Sequence, residues 1–250
     1  MIYLTSDIHG CFKDFKKMLK YINCGPEDHM YIIGDVVDRG PEPIPLLMYV
    51  MDQPNMELLM GNHEQGFLWN IDKNTSKMTD ENVRRFWLEH GGQETWDQYL
   101  LLSDEDKERI RLYLRELPMY KIIGKDILVH AGLFTEGIEY DTLEELMEQQ
   151  DPFRILWEQK GFYGRPMHLK DPEARVFFGH TFSLIIREDL GLPLDSTEIW
   201  KDGNRIGLDC GFAFGGRMVV YCLDDDMAYY LTSSGKFYKK NEKSQKTLDF

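Results

Sequence analysis

Gly34-Asp35-Val36-Val37-Asp38-Arg39-Gly40 is the stretch of sequence around which the fold is organised. It follows an apolar run, Met30-Tyr31-Ile32-Ile33, which reads as a buried strand bounded by turn signals. Two carboxylates, an arginine and two glycines directly after a strand are poorly explained by packing alone. Ligands in open α/β sheets bind beyond the carboxyl ends of strands, so the stretch predicts a binding site at that edge.

The same arrangement of a strand followed by polar residues recurs along the chain. Further strands are predicted at residues 2–6 and 56–60, with a helix between each pair, and this β-α-β-α-β order predicts a parallel or mixed sheet. A hairpin at 120–129 and a strand at 175–178 end in the same way. Five predicted strand ends therefore carry candidate ligands, namely Asp7 with His9, Asp35, Asn62 with His63, His130 and His180.

The rest of the chain is predicted to add a helical insertion and a second sheet. Strand signals vanish at about 67–118, which indicates an insertion that is either a cap over the site or an ordinary helical subdomain. Alternating strands at 205–209, 217–223 and 227–231 predict an antiparallel second sheet. Residues 151–171 show no clear period, and the lysine-rich residues from Ser233 onward are predicted to be a frayed tail. Residues 1–250 are then one α/β (α+β) domain.

Composition narrows the range of partners and compartments. A net charge of −14 argues against nucleic acid as a partner, and an anionic substrate would need local positive charge from a metal or from arginines. Neither a basic and apolar leader nor an apolar run of roughly 20 residues is seen, which predicts a cytoplasmic protein without a membrane partner. The cysteines lack the spacing of a disulfide scaffold and are predicted to be reduced: Cys11, Cys24, Cys210 and Cys222.

The residue types at the strand ends favour a metal site. A single histidine after a strand is more often a packed or capping residue than a ligand. Candidate ligands at five strand ends together favour metal binding. Carboxylate, imidazole and amide oxygen together suit a divalent metal such as manganese, iron or zinc. Asp7 and His9 alternate about Ile8, so both side chains can point to one side. Asp35 can bridge two ions because a carboxylate offers two oxygens. Two metals about 3.5–4 Å apart would clamp a phosphoryl group and hold a nucleophilic hydroxide.

Five motifs stand in order along the chain: Asp7-Ile8-His9-Gly10, Gly34 to Gly40 as quoted above, Gly61-Asn62-His63-Glu64, His130-Ala131-Gly132 and Gly179-His180-Thr181. This ordered set resembles the calcineurin-like metallophosphoesterases, and within them the phosphoprotein phosphatase branch. Bacterial members of that branch include serine/threonine phosphatases and the symmetrical diadenosine tetraphosphatase. The resemblance implies an αββα sandwich of two mixed sheets. It extends to residues similar to the helical insertion of bacterial members: Trp87, Gly91, Gly92, Thr95 and Tyr99.

The resemblance also implies a role for each strand-end residue. One metal would take Asp7, His9 and Asp35 as ligands. The other metal would share Asp35 and take Asn62, His130 and His180. Manganese is the metal predicted first, with iron or zinc as alternatives.

The residues that the resemblance assigns to substrate chemistry are His63, Asp38 and Arg39. His63 would be the general acid that protonates the leaving oxygen, and Asp38 would orient it and support its protonated form. Arg39 would bind the phosphate oxygens with its planar donor fork. A structural ion pair between Asp38 and Arg39 is the competing interpretation. Glu64 is predicted to brace the segment rather than to bind metal.

One departure from the resembling family concerns a second phosphate-binding arginine. Related bacterial phosphatases often place it soon after a tryptophan in the middle of the chain. Here Trp157 is followed by Glu158-Gln159-Lys160, and the nearest arginines are Arg154 and Arg165. The sequence leaves open whether either of them serves.

The function predicted first is hydrolysis of phosphoserine or phosphothreonine in a phosphorylated protein by attack of a metal-bridged hydroxide. The alternative is symmetrical hydrolysis of diadenosine tetraphosphate or of another small phosphoester or nucleotide. A non-enzymatic phosphate-recognising protein is a third hypothesis, which the complete set of ligand residues disfavours. The oligomeric state is not predicted.

Overall fold

Two mixed sheets form the centre of the protein in a computed structural model that describes residues 1–72 and 81–243. The strands are β1 (Ile2–Thr5), β2 (His29–Ile32), β3 (Met56–Leu58), β4 (Tyr120–Ile123), β5 (Asp126–Val129), β6 (Arg175–Phe178), β7 (Trp200–Asp202), β8 (Arg205–Gly207), β9 (Arg217–Cys222), β10 (Met227–Thr232) and β11 (Phe237–Asn241).

Helices occupy most of the segments between these strands. They are α1 (Phe12–Tyr21), α2 (Pro43–Asp52), α3 (Asn62–Ile71), α4 (Glu81–Trp87), α5 (Gln93–Leu100), α6 (Asp104–Arg115), α7 (Leu143–Glu148), α8 (Arg154–Trp157), α9 (Lys160–Tyr163) and α10 (Ser183–Asp189). A π-helical turn at Leu88–Gly92 joins α4 to α5, with Gly91 at a φ of +111°. Residues 73–80 of the predicted insertion and residues 244–250 of the predicted tail lie outside the described part of the chain.

The first sheet has the strand order β11-β10-β9-β1-β2-β3. Strands β1, β2 and β3 are parallel, and β9, β10 and β11 continue the sheet in antiparallel pairs. The prediction of a frayed tail from Ser233 onward is therefore wrong for β11. Its exposed and half-buried side chains are typical of an edge strand, and this polar pattern resembles that of a tail in sequence.

The second sheet has the order β4-β5-β6-β8-β7, with β5, β6 and β8 parallel. The predicted separate antiparallel sheet is wrong, because β9 and β10 pair with the first sheet while β8 pairs with β6. Residues 151–171, predicted to be irregular, contain the short helices α8 and α9. Strand β7 and helix α10 were not predicted.

The core between the two sheets follows from side-chain alternation along each strand. Leu4 of β1 and Tyr221 of β9 face Phe177 of β6, and the Phe177 and Tyr221 ring centroids are 5.2 Å apart. The neighbouring Tyr3 and Phe178 belong to the core that packs against the helices. The two sheets are thus buried on both faces, and the predicted sandwich of two mixed sheets is confirmed.

The parallel strands of both sheets deliver their carboxyl ends to the same edge of the sandwich. Backbone hydrogen bonds join the loops after these strands: the Asp7 amide donates to Gly34 O at 3.1 Å, and the Gly179 amide donates to His130 O at 2.8 Å. Within the described ranges, no helix is both long enough and apolar enough to cross a membrane.

Candidate dinuclear metal centre and its cavity

The backbone at the predicted site is strained in a way that sets it apart from the rest of the chain. Eight residues other than glycine have a positive φ in the described ranges, and six of them are predicted site residues: Asp7, His9, Asp35, Asp38, Arg39 and His180. L-residues avoid this region because Cβ crowds the backbone. Strain of this kind persists where the surrounding structure fixes it, and it clusters at functional sites.

Two glycines allow the strand-end loops to approach closely enough for the side chains to meet. Gly34 has a φ of +78°, and a Cβ there would lie 2.6 Å from His130 Nδ1. A Cβ on Gly61 would lie 2.3 Å from Asp35 Oδ1. Any larger residue at either position would therefore push apart the groups that the fold brings together.

Asp35 lies at the centre of the site and turns its two oxygens toward different imidazoles. Its Oδ1 is 3.4 Å from His130 Nε2, and its Oδ2 is 3.6 Å from His9 Nε2. His63 Nε2 lies 3.9 Å from Oδ2, on the same side as His9. Asp7 Oδ1 is 3.9 Å from His9 Nε2, and both Asp7 oxygens accept the backbone N–H of His180.

A second group of ligand atoms surrounds Asn62 on the other side of Asp35. Asn62 Oδ1 lies 2.9 Å from His130 Nε2 and 2.9 Å from His180 Nδ1. Metal–ligand bonds of about 2.0–2.2 Å place neighbouring ligands roughly 3.0–3.5 Å apart. The separations within this group and across Asp35 fall close to that range, as a pair of divalent ions sharing one carboxylate requires.

Backbone carbonyls hold two of the imidazoles in the form that binds metal. His9 Nδ1 donates to Val37 O at 2.9 Å, and His130 Nδ1 donates to Ile33 O at 2.9 Å. Each bond leaves Nε2 to face Asp35, which is how outer hydrogen bonds orient metal-binding histidines. The residues present therefore fit a divalent metal at each of the two groups.

Burial and close charged neighbours shift the pKa values of several candidate ligands. Burial and the neighbouring carboxylates of Asp209 and Asp35 raise the pKa of Asp7 well above its usual value. Burial opposes ionisation of Asp35, but the imidazoles of His130 and His63 outweigh it and hold its pKa well below the usual range. Burial lowers the pKa of His180 to about 3, so its imidazole is neutral, as metal binding requires.

Glu64 braces the site through the backbone, as predicted. Its fully buried carboxylate accepts the backbone N–H groups of Asp35 at 2.7 Å, Val36 at 2.8 Å, Val37 at 3.2 Å and Gly61 at 3.1 Å. Helix α3 begins directly after Gly61, so one carboxylate ties the start of this helix to the loop after β2. That connection fixes Asn62 and His63 relative to Asp35.

Glu64→Gln is expected to lower the free energy of unfolding by about 2–4 kcal/mol, because the amide nitrogen cannot accept and leaves two buried N–H groups without a partner. Urea denaturation of the metal-free protein measures the change. Glu145→Gln is the matched control, since Glu145 is an exposed glutamate that caps α7. A loss in Glu64→Gln no larger than in the control would contradict the bracing role.

The pair His63 and Asp38 is held by residues of α4 and α5. His63 Nδ1 donates to Asp38 Oδ2 at 2.6 Å, and Trp87 Nε1 donates to the same oxygen at 2.8 Å. Thr95 Oγ1 donates to Asp38 Oδ1 at 2.6 Å and accepts the Asp38 backbone N–H at 2.9 Å. Asp38 is fully buried, so these bonds leave it one orientation. The helical segment between β3 and β4 is therefore part of the site.

Arg39 is placed by the glycine turn between α4 and α5. Its backbone N–H donates to Gly91 O at 2.9 Å, and a Cβ on Gly91 would lie 2.6 Å from Arg39 Cγ. The guanidinium lies against His9 Nε2 and over the Phe214 ring, 5.1 Å from its centroid. This arrangement does not support an ion pair between Asp38 and Arg39, since the partners of Asp38 are His63, Trp87 and Thr95.

A cavity of about 530 Å³ opens beside the ligand groups. Five of the nine predicted site residues line it, namely Asp35, Arg39, Asn62, His63 and His180, while Asp7, His9, Asp38 and His130 are buried and do not line it. Its remaining lining is largely aromatic: Trp69, Phe86, Trp87, His90, Phe153 and Trp157, with Gly66 and Gln159.

Neither candidate for the second arginine lines this cavity. Arg154 lies over the Phe134 ring, 3.5 Å from its centroid, and Arg165 lies 4.0 Å from Glu136. Gln159, two residues after Trp157, lines the cavity instead. Among the described residues, Arg39 is therefore the arginine that lines the cavity.

Several residues of the site were not predicted. The aromatic lining comes from α3, from α4 and the π-helical turn after it, and from α8 with the residue that precedes it. Aromatic side chains in helical segments ordinarily read as core in a sequence. Asp209, which follows β8, is buried, and burial raises its pKa to about 6. Like the other candidate ligands, Asp209 is a polar residue that follows a parallel strand. It was not named as a candidate because the strand predicted at 205–209 included it.

The sequence matches the family model described as calcineurin-like phosphoesterase over residues 1–184. A symmetrical bis(5'-nucleosyl)-tetraphosphatase of Wigglesworthia glossinidia brevipalpis is 30% identical over 198 residues, which cover 77% of this chain and 66% of the relative. One from Buchnera aphidicola subsp. Schizaphis graminum is 39% identical over 137 residues, covering 53% of this chain and 44% of the relative. The alignments thus cover less than two thirds of these relatives.

Solved structures share the fold at low sequence identity. A protein provisionally described as a diadenosine tetraphosphatase has a TM-score of 0.61 at 15% identity, covering 96% of this chain and 92% of the other. A cold-active protein tyrosine phosphatase has a TM-score of 0.55 at 16% identity, covering 95% and 78%. With the family match over residues 1–184 and the strand-end ligands in place, this chain belongs to the calcineurin-like phosphoesterases.

Proposed function

We propose that the protein is a dinuclear-metal phosphohydrolase that splits dinucleoside tetraphosphates symmetrically. The observation that carries the proposal is the position of Asp35, which turns one oxygen to each of two ligand groups beside the buried pair His63 and Asp38. Such a pair of groups next to an oriented imidazole and an arginine is suited to phosphoryl transfer.

The residues assigned to the two metals are those named from the sequence. Asp7, His9 and Asp35 would hold one ion, and Asn62, His130 and His180 would hold the other together with Asp35. When bound, two divalent ions neutralise phosphoryl charge and lower the pKa of a water molecule to near neutrality. Donor chemistry of this mixed kind suits manganese, iron or zinc.

The remaining residues bind the phosphate and move a proton. Arg39 reaches the cavity with a planar donor fork that suits two phosphate oxygens at once. His63 lines the cavity and donates a proton to the leaving oxygen from Nε2, because its Nδ1 is bonded to Asp38. Asp38 fixes the tautomer and orientation of that ring.

Two observations support a small nucleotide substrate over the phosphoserine or phosphothreonine predicted first. The relatives reported above act, by their names, on bis(5'-nucleosyl) tetraphosphates. The cavity of about 530 Å³ has the size of a small-molecule site and an apolar, aromatic lining. The phosphoprotein substrate remains the competing candidate.

Product analysis with purified protein tests the proposal. Diadenosine tetraphosphate and phosphoserine and phosphothreonine peptides are incubated at equal enzyme with manganese, iron or zinc, and the products are separated by chromatography. We expect ADP as the sole nucleotide product. Asp35→Asn, prepared in parallel, controls for contaminating phosphatase.

Each other outcome has a definite reading. Formation of AMP with ATP would contradict symmetrical cleavage. Phosphate release from the peptides without cleavage of the dinucleotide would establish the phosphoprotein substrate. Absence of hydrolysis with every metal would favour the non-enzymatic hypothesis.

The role of the insertion in catalysis gives a prediction of its own. Trp87→Phe keeps a ring that stacks on Phe67 but removes the donor to Asp38 Oδ2. We expect kcat for an alkyl phosphoester to fall about 10-fold, the lower end of the effect of losing an outer hydrogen-bond partner, with little change in KM. Trp96→Phe is the control, because Trp96 packs edge-on against Trp87. Equal kinetics in the two variants would contradict the role.

A further inference from the structure

Three aromatic rings on the cavity wall are stacked in a row. The Trp69 and Trp157 ring centroids are 5.9 Å apart with 5° between the planes, and the Trp157 and Phe153 centroids are 5.8 Å apart with 12° between the planes. All three residues line the cavity that holds the ligand groups. We call Trp69, Trp157 and Phe153 the ring stack.

The ring stack is rigid at its base and open at its end. Trp157 Nε1 donates to Gln65 Oε1 at 2.7 Å, which fixes the indole. Phe153 directly precedes helix α8 and Trp157 ends it. The helix is anchored by the fully buried Leu156 and by a bond from the Ala131 amide to Ile155 O. Phe153 nevertheless keeps 60% of its surface exposed.

An exposed phenyl ring that ends a row of parallel rings is a surface on which another flat ring can stack. Exposed apolar surface inside a cavity marks a binding site, and stacking on aromatic side chains is a general way of holding a nucleobase. Gln159 lines the same cavity and has an amide that can both donate to and accept from the polar edge of a base.

The charge of the cavity also points to a ring-bearing ligand. Arg39 is the arginine of its lining among the described residues, so phosphates that lie beyond the two proposed ions would find little positive charge from side chains. A ligand whose affinity comes partly from an aromatic base removes that difficulty. The polar edge that Gln159 can bond is present in a base and absent from an unsubstituted phenyl ring.

We infer that the ring stack is a nucleobase subsite in which a base of the substrate stacks on Phe153, so that its phosphate chain reaches Asp35, His63 and Arg39. The inference rests on the proposed function for the identity of the substrate. It adds the residues that select a nucleotide over a ring-free phosphate compound. It also assigns α8 and Gln159 to specificity.

The test compares Phe153→Leu with Phe153→Trp, since leucine keeps apolar bulk and tryptophan keeps an aromatic face. The ratio of kcat/KM for diadenosine tetraphosphate to that for inorganic tripolyphosphate is measured in each. Stacking on one aromatic side chain predicts a fall of about 10-fold in this ratio for Phe153→Leu, and the ratio is retained in Phe153→Trp. Tyr21→Leu, an exposed stacked ring outside the cavity lining, is the control.

Binding of ADP, measured by calorimetry on the wild type and the same variants, separates this inference from the proposed function. Cleavage of diadenosine tetraphosphate with an unchanged ratio in Phe153→Leu would overturn the inference and leave the function standing. Absence of cleavage with Phe153-dependent ADP binding would overturn the function and leave the subsite standing. A fall in Phe86→Leu as large as in Phe153→Leu would place the base on a different part of the cavity lining, where Phe86 stacks on His90, and overturn the assignment.

Discussion

Replacement of His63 by asparagine is expected to lower kcat for an alkyl phosphoester about 10²- to 10⁴-fold, the usual contribution of a positioned general acid. The alkoxide that leaves is strongly basic, so it gains most from a proton delivered at His63 Nε2. A nitrophenolate or a nucleoside diphosphate is a much better leaving group, and we expect a smaller loss on substrates that release them. Steady-state rates on the three substrate types give the comparison.

Metal content and a distant histidine provide the controls for this variant. His63→Asn should retain both ions when metal is measured by mass spectrometry, because His63 is assigned to neither ligand set. His29→Asn alters a half-exposed histidine at the opposite end of β2 from Asp35 and should leave the rates near wild type. An equal loss on all three substrates would contradict the acid role.

Asp35→Asn is expected to lower kcat/KM by more than about 10³-fold. Loss of one electrostatic donor lowers the rate about 10²- to 10³-fold, and here one side of the metal centre loses its shared ligand as well. The amide can keep Oδ1, which accepts the His63 backbone N–H at 3.1 Å and faces His130. It replaces Oδ2, which faces His9, with a nitrogen that cannot bind metal. We expect one ion per chain in place of two.

Asp97→Asn is the matched control, an exposed aspartate on α5 that accepts from Gln93. Metal titration of the two variants, with circular dichroism to establish folding, gives the measurement. Two ions retained by Asp35→Asn would show that Asp35 does not bridge them. Full activity with one ion would remove the need for the second.

The sequence predicted the parallel strands and their ends well, because short apolar runs before polar motifs are local signals. It did not predict the partners of the later strands. Alternation along β9 and β10 shows that each strand has a buried face, yet it does not show which sheet covers that face. Strand β11 lies at the edge of its sheet and carries lysines. Its polar sequence pattern therefore could not be distinguished from that of an unstructured tail.

The sequence also predicted the site only as far as its signals are local. The nine candidate site residues could be named from the sequence because they lie in five short motifs. The structure brings all nine together, and their roles stay predictions. Trp87 and Thr95 matched the insertion without a role, since the bonds to Asp38 join residues about 50 positions apart. The ring stack joins α3 to α8 across a still longer separation.

The left-handed backbone at six site residues has a consequence for how this protein can be improved. Each such residue costs about 1 kcal/mol or more relative to an unstrained position, and glycine would relieve that cost. Selection of variants for heat resistance alone should therefore enrich glycine at Asp7 or His180, and those survivors would be inactive. Thermostabilisation of this scaffold should hold these positions constant and draw its gains from the exposed helices.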